Sequence, residues 1–442
     1  MSIKYDRLWK LLIDKKMNRT SLKEASGISF NVLAKMSKGE TISMESILKI
    51  CNVFNCDISD IMEIEKKSNN INSVNVKKTL LFVDGKNKKI ANGHSDSNKQ
   101  HGYNVIDLFC GAGGFHIGFE NVGCSIRLCV DNNFLVEKTH GKNFPHIPFI
   151  NKDISLISTK DIKNHCAENV DIIIGGPPCQ GFSTIGNRVS SDPNRRNQSD
   201  SRNELVLAYA KIISNLRPKF IVMENVKGIL TAKSGEYLNI VLSQLRRAGY
   251  NIDYKLLNMA DYGVPQIRER IIILGNNIGL PVLFPKPTHS DNPEDNLLPW
   301  NTCWSVLHDL EKIDDDPSFN HVVLKHTSTN IERYKLIPEG GRLPEASLPQ
   351  ELYRKNFGNT YKRLSRNRPA LTMVPGNDAF PIHPTLDRSL TVREAARIQT
   401  FADTMIFEGN RRQQGHQVGN AVPPMFSEQL ASFIIKQLKG VK

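Results

Sequence analysis

The chain has no C-x-x-C pair, no apolar run approaching the ~20 residues needed to span a bilayer, and no internal repeat. Its eight cysteines, at positions 51, 56, 110, 124, 129, 166, 179 and 303, show no framework spacing. That predicts neither structural disulfides nor a zinc site and leaves each thiol to be judged alone. The N-terminus, MSIKYDRLWK, lacks the uninterrupted apolar core of a signal peptide, so a cytoplasmic location is expected. A complete G-x-G-x-x-G fingerprint is also missing, because the one glycine-rich turn that follows a strand has His116 where the last glycine should stand.

What is present is length and positive charge. The 442 residues suffice for two or three domains, and 39% hydrophobic content can build ordinary cores. Lysine and arginine number 58 against 45 acids, a formal excess of +13. That balance favours a polyanionic partner, nucleic acid being the commonest. Part of it lies in residues 66–101, where KKSNN, KNKK and HSDSNKQHG read as a solvated linker interrupted by one apolar island, Thr79–Val83. A solubilising tether explains those lysines as well as phosphate contact does.

Residues 1–65 read as a small all-helical unit. Tyr5, Leu8, Trp9, Leu11 and Leu12 share one face at helical spacing. Ser21-Leu22-Lys23-Glu24 has the form of a capping box opening a second helix, Gly27 breaks it, and Ser29 can cap a third over Phe30–Met36. A fourth is expected after Ser43, carrying Ile47, Leu48, Ile50, Val53 and Phe54 inward. Two short helices around a glycine turn form a helix-turn-helix. From residue 103, strand-like runs (YNVIDLF, SIRLCVD, VDIIIGG, KFIVMEN, RERIIILG) alternate with periodic segments such as 204–216 and 236–248. That alternation predicts a parallel, doubly wound sheet. The pattern breaks over 281–360, which reads as an inserted smaller lobe, and helical periodicity returns at 391–400 and 425–438.

Two stretches carry the chemistry. Residues 175–183 read GGPPCQGFS, a stiff turn presenting one thiol, Cys179. Free cysteines are usually small buried fillers, so the stretch alone leaves filler and nucleophile both open. Asp107-Leu108-Phe109-Cys110-Gly111-Ala112-Gly113-Gly114-Phe115 follows the first strand and opens a helix, where backbone amides can meet a ligand. Asp107 would oppose a pyrophosphate but suits a cationic ligand such as a sulfonium amino acid. Asp131 ends the second strand, where an acid meets ribose hydroxyls, and Asp153 sits where the third should end. A tight structural turn accounts for the glycines equally well.

The order of the pieces is more specific. DLFCGAGGF from Asp107, GGPPCQGFS, Glu224-Asn225-Val226, QIRER over 266–270, RSLTVRE over 388–394 and GNAVPP over 419–424 resemble the motif series of the DNA (cytosine-5) methyltransferases, over roughly residues 103–442. The resemblance implies an α/β, Rossmann-like S-adenosyl-L-methionine-dependent core over 103–280 and 401–442. It places a target-recognition lobe and hinge at 281–400 and requires no metal. Cys179 would add to cytosine carbon 6, which makes carbon 5 nucleophilic. Its thiol, ordinarily near pKa ~8.5, must be activated. Glu224 would hydrogen-bond ring nitrogen 3 and the amino group, and Arg268 would reach the base or the thiol. Gln266 and Arg270 would hold the strand-end geometry, a plain ion pair being as good an account of Arg270.

For the cofactor, the family pattern has Phe109 stacking on the adenine, Asp131 on the ribose, Asp153 on the adenine amino group and Asn420 near the methionine end. Asp107, Gly111, Gly113, Asn132, Ile154 and Pro178 complete the pocket. Asp131 stands where many members have Glu. Residues 184–202 look like a mobile loop closing over double-stranded DNA around an extruded base. Ser183, Arg188, Arg195, Arg196 and Arg202 are its DNA contacts. The N-terminal unit resembles phage-repressor helix-turn-helix domains, with Ser29, Asn31 and Lys35 for the groove. A helical protein-interaction module is the other reading of it. These resemblances imply a nucleoid-associated enzyme of a restriction–modification system, with an N-terminal domain that dimerises and represses its own promoter. Two other functions remain open: a regulator with an inactive methyltransferase half, and an RNA cytosine-5 methyltransferase.

Overall fold

The computed structural model describes residues 2–15, 17–37, 42–54, 56, 61–65, 102–166, 169–177, 199–231, 235–353, 361–374 and 380–440. The chain forms two compact units, Met1–Ile90 and Ala91–Lys442. None of the helices searched among the described residues is long and apolar enough to cross a membrane.

In the first unit a short antiparallel pair, β1 (Ser2–Lys4) with β2 (Glu63–Glu65), brackets four helices. These are α1 (Asp6–Asp14), α2 (Arg19–Ser26), α3 (Phe30–Ser37) and α4 (Met44–Phe54). Tyr5, Leu8, Leu12, Leu22, Leu33, Met36, Ile47 and Ile50 share one core. Three-residue strands with a single isoleucine each leave no readable period, so sequence gave no sign of the β pair. The capping box expected at Ser21 is corrected. Asn18 is the N-cap, its Oδ1 accepting from the Ser21 N–H at 2.9 Å, which starts α2 at Arg19. Gly27 ends α2 with φ 67°, and Ser29 caps α3 by accepting from the Val32 N–H at 3.4 Å. Leu48 is corrected too: it is 50% exposed, because one residue past Ile47 is about 100° around the helix from the buried seam.

The second unit is built on a seven-stranded sheet. Its strands are β3 (Asn104–Leu108), β4 (Ser125–Asp131), β5 (Phe149–Asn151), β6 (Ile172–Gly175), β7 (Phe220–Val226), β8 (Asn251–Asn258) and β10 (Glu269–Asn276), ordered β5-β4-β3-β6-β7-β10-β8. The first five run parallel. The expectation of a wholly parallel sheet fails at β10, which lies antiparallel to both β7 and β8. Only residues 259–268 join β8 to β10. A parallel return would need a crossover of about a dozen residues or more.

Strand alternation sorts the side chains between two layers. Ile106, Leu108, Leu128 and Val130 enter one core with α7 (Thr159–His165), α8 (Ser199–Leu216) and α9 (Glu236–Arg247). Asp107 and Cys129, at alternate positions, meet α5 (Gly114–Asn121) and α6 (Phe134–Asn143) instead. In α9, Tyr237, Leu238, Val241, Leu242 and Leu245 are buried, each side chain worth roughly 1.5–3 kcal/mol.

Residues 281–400 hold 3-10 turns and the short strands β11 (His289–Ser290), β12 (Leu298–Pro299) and β13 (Ala370–Leu371). They also hold α10 (Ser328–Lys335) and a small core of Tyr334, Ile337, Leu343, Tyr361 and Ile382. β13 pairs with β9 (Gln266–Ile267). Every residue of α11 (Val392–Ile398) is buried, including Arg393, Glu394 and Arg397. Arg388 grips Glu394 at 2.7 and 2.8 Å, and Arg397 binds Asp309 and Asp403 at 2.6 to 2.8 Å. α12 (Arg411–Asn420) and α13 (Pro424–Lys439) close the chain, with α13 lying along α5.

Candidate active site

The glycine turn joins β3 to α5, as the sequence predicts, and two of the residues expected around a cofactor are exceptions to the expected placement. Phe109, half-buried at the end of β3, has φ 61°, left-handed backbone that costs a bulky residue about 1–3 kcal/mol and gathers at ligand sites. The Gly111 N–H donates to Asp131 Oδ2 at 3.0 Å, and Asp131 Oδ1 accepts from the Asn133 N–H at 3.0 Å. Burial raises the Asp131 carboxyl and these backbone bonds temper the rise. Gly113, φ 87°, is the N-cap of α5. Gly114 is required by a close approach: a Cβ there would stand 2.1 Å from the Val422 carbonyl oxygen. Asn132 is exposed, while Asp153 caps the turn after β5 through the Ser155 N–H at 2.9 Å.

The first exception is Asp107, expected to face the ligand. It is completely buried, with Oδ2 3.1 Å from His116 Nδ1. It stands inside β3 on the face under α5, not at the turn, and a carboxylate that water cannot reach meets no ligand in this conformation. Burial, partly offset by His116, pushes it up to about 7. The second is Ile154, only 3% exposed and committed to the sheet core. Sequence reasoning passed over His116; a histidine on the buried face of an otherwise apolar helix was the available signal.

About the neighbouring strand ends lies a second group. β6 ends at Gly175 opposite Met223, and β7 continues, so Glu224 is not at the end of β7 but one residue beyond the end of β6. It is 7% exposed. Arg270 Nε approaches Glu224 Oε1 at 3.0 Å and Arg268 at 3.9 Å, yet Oε1 accepts no aligned hydrogen bond. Arg268 is buried, donates to the Gly419 carbonyl at 3.0 Å, and has an unpartnered Nε. Burial and then the Arg270 charge bring it down to about 9, so it stays cationic at neutral pH. Gln266 Nε2 donates to Gln399 at 2.8 Å and its Oε1 accepts from the Met373 N–H at 2.8 Å, joining β9 to the segments on either side of it. The Asn225 amide donates to the Pro177 carbonyl at 3.3 Å, and a Cβ on Gly176 would lie 3.6 Å from Glu224 Oε2. The start of the GGPPC turn thus lies against Glu224.

The profile of the C-5 cytosine-specific DNA methylases matches residues 103–438. The chain is a DNA (cytosine-5) methyltransferase. A Cro/C1-type helix-turn-helix DNA-binding domain profile matches residues 7–67. Among its relatives, the Type II methyltransferase M1.HphI of Haemophilus parahaemolyticus is 34% identical over 75% of this chain and 86% of its own. The Type II methyltransferase M.Sau96I of Staphylococcus aureus is 29% identical over 95% of both. A solved structure described as a prophage-encoded DNA modification methyltransferase of E. coli superposes with a TM-score of 0.62, at 26% identity over 76% of this chain and 99% of that one.

In this methyltransferase Cys179, Pro178, Ser183, Arg188, Arg195 and Arg196 lie outside the described residues. Arg202 falls within α8, which begins at Ser199, so the expected long loop is shortened at its far end. Asn420 is exposed at the end of α12, beside the Gly419 carbonyl that Arg268 holds. Ser29, Asn31 and Lys35 are all exposed at the cap and along α3.

Proposed function

We propose that the enzyme transfers a methyl group from S-adenosyl-L-methionine to carbon 5 of a cytosine in a specific duplex site, as the modification half of a Type II restriction–modification system. The observation that carries this reading is Glu224, a buried carboxylate held between two arginines that give its Oε1 no aligned hydrogen bond. An extruded cytosine has an amino N–H that donates to this carboxylate, and a proton shared between the carboxyl and ring nitrogen 3 completes the contact. Strained Phe109 and the strand-end Asp131 fit the adenosine of the cofactor, which supplies an electrophilic sulfonium methyl when bound.

Cys179 follows Pro177 by two residues, a span of at most ~7 Å of chain. Its thiolate adds to carbon 6, a proton shared with the Glu224 carboxyl moves to ring nitrogen 3, and carbon 5 becomes an enamine-type nucleophile. Carbon 5 takes the methyl group, and the donor's sulfur leaves as a neutral thioether. A water takes the carbon-5 proton, the thiolate is expelled, and nitrogen 3 returns its proton to Glu224, which restores the ring. Arg268 and Arg270 keep Glu224 oriented, and Asn420 borders the methionine end of the pocket. The N-terminal unit binds an operator through Ser29, Asn31 and Lys35 and represses its own gene, as a dimer.

Duplex DNA bearing 5-fluorocytosine at the target tests the reading. With fluorine at carbon 5 there is no proton to lose, so a covalent protein–DNA adduct should accumulate in the presence of cofactor. It should be absent with Cys179→Ala. No adduct with any target duplex would refute the reading.

A further inference from the structure

A cluster of nitrogen and sulfur donors that methyl transfer does not use lies on the sheet face beneath α5 and α6. His116 of α5, Cys129 of β4 and His140 of α6 bring one donor atom each to within 4.8 Å of one another. They are 0%, 0% and 3% exposed. His116 Nδ1 is 3.4 Å from Cys129 Sγ. Around the donors the shell is aromatic: Phe144 stands 4.7 Å edge-on from His116 and Phe149 lies 4.8 Å from His140, centroid to centroid.

Two features point to a missing ligand rather than to a satisfied core. The Nε2 atoms of both His116 and His140 have no hydrogen-bond partner, and neither does Oδ1 of Asp107, whose Oδ2 touches His116 Nδ1. Buried polar atoms left without partners are costly unless something binds them. The donor set is also chemically selective. Two imidazoles and one thiol match zinc, which takes nitrogen at ~2.0–2.1 Å and sulfur at ~2.3 Å in a tetrahedron whose fourth position a water can fill. Donors at those lengths stand about 3.3–3.8 Å from one another, and the His116–Cys129 separation already has that value. Asp107, 3.1 Å from His116 Nδ1, places a carboxylate next to the cation.

We propose that His116, Cys129 and His140 hold a soft divalent cation of the zinc class, which fastens β4, α5 and α6 beneath the cofactor turn. On binding, the Cys129 thiol loses its proton to solvent and the imidazoles bind as neutral donors. The positions 116, 129 and 140 match no zinc spacing, which is why the sequence alone predicted no such site. β4 supplies the cysteine, and α5 and α6, packed on the same face of the sheet, supply the histidines.

The test uses the untagged full-length chain, expressed with zinc and, separately, with cobalt, and purified without chelator. Metal per chain is measured by mass spectrometry, and the cobalt protein is examined for thiolate-to-cobalt charge-transfer absorption. Stoichiometric zinc and the charge-transfer band are expected in the wild type. Both should persist in Cys124→Ser and Cys303→Ser, which change buried thiols elsewhere, and both should be lost in His140→Gln and Cys129→Ser. Metal-free wild-type protein, cobalt protein without the band, or undiminished zinc in a folded His140→Gln variant would overturn the proposal. The wild-type measurements decide it even where Cys129→Ser does not fold.

Discussion

Glu224 is useful because its neighbour strand stops one residue short of it. β6 covers β7 only to Met223, leaving the carboxylate at a strand edge while Arg268 and Arg270 hold it in place. Replacing it with Gln keeps shape and volume but removes the acceptor charge. Glu224→Gln should therefore lower kcat by about 10²- to 10⁴-fold in single-turnover methyl transfer. Because it leaves Arg268 and Arg270 without their counter-charge, it should also lower Tm in thermal unfolding while the variant stays folded at the assay temperature. At this scale residue type singles out Glu224 and Phe109, and the structure finds the first buried beside two arginines and the second in left-handed backbone. The sequence misled where orientation decides. The DLFCGAGGF motif does not say that the Asp107 carboxylate turns inward to His116, because strand alternation is settled only once β3 is paired. The arginines in QIRER were recognisable, yet the Arg268 bond to the Gly419 carbonyl joins segments 151 residues apart, and nothing local encodes it.

The elements that position the site depend on close fits and buried ion pairs. Gly114→Ala would drive a Cβ to 2.1 Å from the Val422 carbonyl oxygen, so α5 must shift from the segment preceding α13. A loss of about 1–3 kcal/mol is expected in denaturant unfolding, with a higher KM for the methyl donor. In α11, burial raises the Glu394 carboxyl but the bidentate Arg388 contact overrides it and holds the group below its ordinary 4.5. A depressed carboxylate contributes stability that is fully present above pH 4.5 and is lost as pH falls through its folded value. Wild-type Tm should therefore fall over that acid range. Glu394→Gln, which strands Arg388, should be less stable by about 3–5 kcal/mol at neutral pH and show a flatter acid limb. Helix and strand segments were legible from periodicity. The reversal of β10 was not, since an apolar run such as RERIIILG reads alike in either direction.

At the scale of the whole chain, charge and domain order carry the expectation. The excess of +13 should make DNA binding weaken steeply with salt, measured as the slope of log affinity against log salt concentration. Removing residues 1–65 should leave methylation largely intact and abolish operator binding in a mobility-shift assay. Equal loss of both would contradict independent action of the two units. Motif order made the family readable across more than three hundred residues, whereas the sequence of the target site is not readable at all. In the reading proposed here, base readout would rest on side chains of the 281–400 segment that reach a groove, and that is a property of the complex. The most direct measurement incubates the full-length protein with a labelled methyl donor and genomic DNA or RNA, then maps the modified bases. The expected result is 5-methylcytosine at one duplex sequence, absent with Cys179→Ser. Methyl groups on adenine, on RNA alone, or undiminished with Cys179→Ser would contradict it.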